Sequence, residues 1–153
     1  MTAKEIQQLD DESDTVAMGV ALSEKLHSGG LVFLHGDLGA GKTTLVRGIL
    51  QGMGYEGHVR SPTYTIVERY PTKHGLVCHY DLYRMWDPTE LEFVGAREDL
   101  VPENLCLIEW PENGQGWLKS QLLDIYLTFS LQPHEIIKKN GRQIELKWHN
   151  HEK

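Results

Sequence analysis

The sequence predicts an α/β protein in which helices cover both faces of a sheet and an antiparallel hairpin is inserted early. Three observations carry this. Short apolar runs at residues 31–35 (LVFLH) and 105–110 (LCLIEW) have the length and character of buried strands. Stretches with apolar residues at helical spacing lie between such runs. Two alternating, β-branched runs, 64–70 and 76–83, flank the turn-rich PTKHG.

Taken in order, Asp10 to Ser13 offer caps for a first helix in which Met18, Leu22 and Leu26 recur on one face. Gly29 and Gly30 stop it, and residues 31–35 form the first buried strand. Residues 42–53 return to helical spacing through Leu45, Ile49 and Met53, closed by Gly52 and Gly54. After the hairpin, DPTE opens another helix. Asp87 is its N-cap, Pro88 its first position and Glu90 the reciprocal capping-box partner, and the helix is expected to run to about Leu100. LCLIEW is the next buried strand. LLDIYLTFSL (122–131) is a further strand, and RQIELKWH (142–149) pairs most naturally with it.

At 153 residues without repeats or Pro/Ser-rich linkers, the chain reads as one domain, residues 1–153. No apolar run approaches the roughly 20 residues needed to span a bilayer, and the polar N-terminus does not resemble a secretory signal. Cys78 and Cys106 sit in predicted strands and behave as small buried hydrophobes, with no metal-type spacing. A cytoplasmic location follows. The net charge of −7 argues against free binding to a nucleic-acid backbone. In nucleic-acid metabolism another subunit would hold the nucleic acid.

GDLGAGKTT, residues 36–44, carries the chemistry. Gly36, Gly41, Lys42 and Thr43 occupy the fixed positions of G-x-x-x-x-G-K-[ST], preceded by an apolar strand and followed by an amphipathic helix. Glycines let consecutive N–H groups turn inward around phosphates, and the helix start adds its positive end. Gly36, Asp37, Leu38, Gly39, Ala40, Gly41, Lys42, Thr43 and Thr44 are the expected nucleotide-binding residues. Lys42 reaches the β- and γ-phosphates, and the Thr43 hydroxyl is a hard-oxygen ligand for Mg²⁺.

Such a loop needs an acid at the end of a neighbouring buried strand. Glu109, closing LCLIE, is one, and Asp81, after LVCHY, is a second. Asp81 would ligate Mg²⁺ directly, act through water or orient the attacking water. Sequence does not choose among these roles. Trp110 either lies over the nucleotide or fills the core. Arg84 either stabilises transition-state charge or forms a surface ion pair. SPTYT (61–65) is a γ-phosphate-sensing switch or a turn. His149 and His151 read as tail residues.

In order and spacing, GDLGAGKTT, SPTYT, DLYR, DPTELE and LIEWPENG resemble the TsaE (YjeE) family, small bacterial P-loop ATPases required for threonylcarbamoyladenosine in tRNA. The resemblance covers about residues 30–116. It implies a P-loop NTPase-like fold, ATP with Mg²⁺, and partners TsaD and TsaB, which transfer threonylcarbamoyl to adenosine 37 of tRNA. It also implies that Lys42 and Thr43 bind phosphate and metal, that Glu109 is the Walker-B-like acid and Asp81 the other important acid, and that Trp110 lies near the nucleotide. TsaD and TsaB would then present the tRNA.

Three alternatives remain at this level. A P-loop small-molecule kinase would need a water-excluding lid, often Arg-rich, whereas the six arginines are scattered. A GTPase switch lacks any N-K-x-D motif. A nucleotide-gated binding module without turnover would need the same loop.

Overall fold

The computed structural model describes residues 2–37, 39–129 and 141–149; of the expected positions, Leu38, His151 and the last two residues of the 122–131 strand lie outside them. The described residues form seven strands: β1 (Thr2–Leu9), β2 (Gly30–His35), β3 (Val67–Thr72), β4 (Gly75–Asp81), β5 (Leu105–Glu109), β6 (Leu123–Phe129) and β7 (Arg142–His149). They join one sheet in the order β1-β7-β6-β2-β5-β4-β3. The centre is parallel, with β2 between β6 and β5 and β4 beyond β5. Both margins are antiparallel, through β3 on β4 and β7 on β6 and β1.

Alternation along the central strands splits the core in two. Val32, Leu34, Leu105 and Leu107 face helices α1 (Glu12–Leu26) and α2 (Lys42–Gly52). Leu31, Phe33, Cys106 and Ile108 face the other way, toward the short helices α3 (Glu90–Phe93) and α4 (Ala96–Asp99). Helices therefore cover both faces. Asp11 caps α1 by accepting from the Asp14 N–H at 2.9 Å, and Asp14 returns the bond to the Asp10 N–H. Leu22 and Leu26 are buried from this helix, and Leu45, Val46 and Ile49 from α2.

The two helices touch backbone to backbone. A Cβ on Gly48 would lie 2.3 Å from the Val16 carbonyl, and one on Gly19 would lie 2.5 Å from the Leu45 carbonyl. This close approach seats α2, and with it the loop before it, directly over the sheet.

Several elements differ from the sequence expectation. β1 was not expected. β3 begins at Val67 rather than Tyr64, because residues 63–65 form a turn and Ile66 takes a positive φ of 71°. The helix expected to run to Leu100 is broken. The expected hydrogen bonds form, with Asp87 accepting from the Thr89 N–H and Glu90 from the Asp87 N–H. But Pro88 and Thr89 lie in a turn, and the helix starts at Glu90 with Thr89, not Asp87, as its N-cap. The chain then bends at Gly95 (φ 82°), where Arg69 takes the Val94 carbonyl. Arg69 also grips the buried Asp99 through Nε at 3.0 Å to each carboxylate oxygen, and Tyr80 donates its hydroxyl to Asp99.

Burial opposes charge on Asp99, but Arg69 and Tyr80 outweigh it and hold its carboxyl below the ordinary range. Its stabilisation is therefore complete above that range and fades as pH falls through the lowered value. Replacing Asp99 by Ala is expected to cost about 3 kcal/mol in urea unfolding at neutral pH, since it removes the Tyr80 acceptor and leaves the Arg69 charge, among the described residues, with only the Val94 carbonyl. The penalty should shrink in acid. Among the described residues no helix is long and apolar enough to cross a membrane.

Candidate functional site

The parallel strands end in one row: Leu34 of β2 pairs with Glu109 of β5, which pairs with Asp81 of β4. Carboxyl ends of parallel strands are where α/β sheets bind ligands. From the end of β2 the chain passes through Gly36, Asp37, Gly39 and Ala40 into α2. Gly41 is the N-cap at φ 104° with no side-chain cap, and Gly39 sits at φ 82°. No side chain crowds Gly39, so the demand for glycine is conformational, a left-handed backbone that other residues adopt at a cost. The result is a helix N-terminus without a side-chain cap, suited to an anion.

Lys42 is nearly buried at 7% exposure. Its ammonium donates to the Gly36 carbonyl at 2.6 Å, lies 3.1 Å from Glu109 Oε1, and is 5.3 Å from the centroid of the Trp110 ring. The other Glu109 oxygen is 2.7 Å from His79 Nε2. His79 is fully buried, and among the described residues its Nδ1 has no hydrogen-bond partner. Burial alone would push the Glu109 carboxyl up. The hydrogen bond from His79 and the charge of Lys42 outweigh that and hold it below its ordinary value.

Asp81 behaves oppositely. It accepts from the Tyr83 N–H at 3.0 Å, but burial first, and Glu109 beside it, push its carboxyl up. The charged form is therefore the disfavoured one in the fold. Its contribution is favourable below the ordinary carboxylate range and is lost as pH rises through the raised value. Replacing Asp81 by Asn keeps the acceptor for Tyr83 and removes the charge. At neutral pH and without metal, this variant is expected to melt higher than the native protein by roughly 1–4 °C, the scale of a 0.5–1 kcal/mol gain. Calorimetry checks it.

Gly36, Asp37, Lys42 and Trp110 line one cavity of about 210 Å³ with Leu34, His35 and Glu112. That is below the usual few hundred Å³ of a whole-ligand site, so it fits the small anionic end of a ligand whose remainder lies outside. A larger cavity, about 500 Å³ and mostly apolar, opens at the other end of β2 around Gly30, Leu31 and Trp117. It shares no lining residue with the smaller cavity, and neither lining includes Asp81 or Glu109, which stand behind Lys42. Thr43 and Thr44 follow Lys42 in the first turn of α2, both half-buried.

Two non-glycine residues among those described have positive φ, and both support the acids. Trp110 (φ 57°) turns the chain out of β5 and contacts Tyr83 at 4.9 Å between ring centroids. It is half-buried, packed against the second core cluster on one side and lining the cavity on the other. The Ile66 carbonyl, at the end of the SPTYT segment, accepts from the Asp81 N–H at 2.8 Å. Such strain is retained where neighbouring structure over-determines it. Arg84 is not in the cavity lining; its guanidinium lies 4.6 Å from the centroid of the exposed Tyr64 ring.

Sequence reasoning passed over His79, although it stands two residues before Asp81 and so shares its face of β4. His149 is not a tail residue. Together with His35 it clamps the buried Asp124, each imidazole at 2.7 Å.

The fold and this corner define a P-loop NTPase-like α/β protein. It is similar to the crystal structure of Bacillus subtilis YdiB, with a TM-score of 0.71, 25% identity, and coverage of 97% of this chain and 87% of that one. A family model described as threonylcarbamoyl adenosine biosynthesis protein TsaE matches residues 9–141. The tRNA threonylcarbamoyladenosine biosynthesis protein TsaE of Haemophilus influenzae is 50% identical over 117 residues, 73% of this chain and 74% of that protein. The protein of the same name from Rickettsia typhi is 33% identical over 143 residues, covering 93% and 94%. The chain belongs to the TsaE family.

Proposed function

We propose that the protein is a Mg²⁺-dependent ATPase of the cytoplasm that acts with TsaD and TsaB in forming threonylcarbamoyladenosine at position 37 of tRNA. One observation carries the reading. At the open N-terminus of α2, Lys42 is held between the Gly36 carbonyl and Glu109, beside the Glu109–Asp81 pair. A mobile lysine would have to be ordered on binding; this one is already aimed along the loop.

In this reading the amides of residues 41–44 and the Lys42 ammonium take the phosphates. The Thr43 hydroxyl with Glu109 and Asp81 would hold Mg²⁺. The donors fit: all are hard oxygens, and the buried Asp81 carboxylate stands beside a second acid and, among the described residues, makes no ion pair. Among the described residues no cluster of three or more His, Cys, Asp or Glu forms a ready cage. Magnesium completed by phosphates and waters does not require one. When bound, the ion neutralises charge developing on the phosphates. Glu109 accepts or directs a proton of the attacking water, and His79 fixes its orientation. Trp110 covers the rim. Membership in the TsaE family supports the tRNA role, and the acidic surface is consistent with TsaD and TsaB carrying the nucleic acid.

The kinase alternative gains nothing from the geometry, since Arg84 lies against Tyr64 rather than lining the cavity. The test is phosphate release from ATP by the purified protein, alone and with TsaD and TsaB. Slow turnover that the pair changes strongly is expected. Brisk turnover indifferent to both, or labelled γ-phosphate appearing on a metabolite, would contradict the proposal.

A further inference from the structure

Arg142 opens β7, more than a hundred residues after the Gly-rich loop, yet it meets the loop from behind. Its Nε donates to the Ala40 carbonyl at 2.9 Å, one terminal nitrogen donates to the Gly39 carbonyl at 3.1 Å, and the other to the Gly141 carbonyl at 3.0 Å. The guanidinium lies 4.2 Å from the ring centroid of Phe129, its antiparallel partner on β6. That stack gives a role to an aromatic ring left 46% exposed.

The geometry points to Arg142 as a positioning residue for the phosphate-binding loop, an inference that rests on the nucleotide reading above. A peptide unit is rigid, so fixing the carbonyls of Gly39 and Ala40 on one side fixes the amides of Ala40 and Gly41 on the other. The Ala40 amide closes the loop by donating to the Asp37 carbonyl at 3.0 Å, and the Gly41 amide belongs to the anion cradle. Gly39 and Gly41 make this stretch conformationally permissive, and Gly39 has nothing within 4 Å of where a Cβ would stand. Without a brace, ordering the loop would have to be paid for when phosphate binds. Arginine suits the task because its planar fork spans two adjacent carbonyls while stacking on a ring; lysine offers one point donor. On the opposite side of the loop, the Gly36 carbonyl is taken by Lys42. The cradle is thus held from both sides before any ligand arrives.

The test is ADP affinity of the native protein, Arg142→Ala and Arg142→Lys by calorimetric titration, with the melting temperature of each nucleotide-free protein. Arg142→Ala is expected to weaken ADP roughly tenfold or more, the scale of lost charge-assisted hydrogen bonds, and Arg142→Lys to recover only part of this. Inorganic pyrophosphate, which binds through its phosphates alone, should lose the same factor in competition. Variants that melt lower yet bind ADP as tightly as the native protein would assign Arg142 a purely structural role and overturn the inference. Should Arg142→Ala fail to fold, native affinity in Arg142→Lys overturns it equally. Failure of the native protein itself to bind ADP would instead refute the nucleotide reading.

Discussion

Replacing Lys42 by Ala is expected to abolish useful nucleotide binding and to destabilise the nucleotide-free protein as well. Among the described residues lining the 210 Å³ cavity, Lys42 is the one lysine or arginine that an incoming phosphate would meet. Losing its charge-assisted contacts should weaken ATP by roughly 100-fold, equivalent to ~3 kcal/mol. The same ammonium is 3.1 Å from Glu109, which is 5% exposed. Without it, a buried carboxylate keeps only His79, beside a second carboxylate on Asp81. Breaking one side of a buried pair costs about 3 kcal/mol, offset in part because the buried ammonium itself is gone. Lys42→Met, which restores volume without charge, should recover packing but neither ATP affinity nor most of the lost stability. Titration calorimetry and urea unfolding on both variants separate the two effects. Unchanged ATP affinity in Lys42→Ala would remove the loop from the mechanism.

Glu109→Gln is expected to separate binding from turnover. The amide keeps the shape and still offers an oxygen to Lys42, so ATP affinity should stay within a few-fold of native. Turnover should fall by roughly 10²–10³-fold, because the side chain no longer accepts a proton or carries the charge that holds metal. His79→Ala should be milder, on the order of tenfold, since His79 acts through Glu109 rather than on the reacting atoms. Single-turnover measurements under saturating ATP check both. Were Glu109→Gln to end turnover while tRNA modification in cells continued normally, nucleotide would gate a binding module rather than fuel an enzyme.

What could be read from the sequence was whatever chemistry forces into residue type. A left-handed backbone at Gly39 and Gly41, a lysine at a helix start and a carboxylate closing a buried strand each leave few choices, so the loop and both acids were legible. The hydrogen bonds of residues 87–90 were legible for the same reason, being complete within four residues. Features made by distant partners were not. β1 is exposed from Ala3 to Gln8, Ile6 included, and it exists because its backbone pairs with β7, which no periodicity reports. The break at Gly95 involves Arg69, which takes the Val94 carbonyl from twenty-five residues earlier. His149 reads as a tail until β7 carries it to Asp124. Arg142 lies in an ordinary strand until the sheet order brings it behind the loop.

The most direct measurement is equilibrium binding of ATP to the purified protein with and without Mg²⁺, in parallel with GTP. Binding in the micromolar range that tightens with Mg²⁺, prefers ATP and disappears in Lys42→Ala is the predicted result. No binding, or binding indifferent to both Lys42 and Mg²⁺, would contradict the assignment of the Gly36–Thr44 loop as the site where this protein takes its nucleotide.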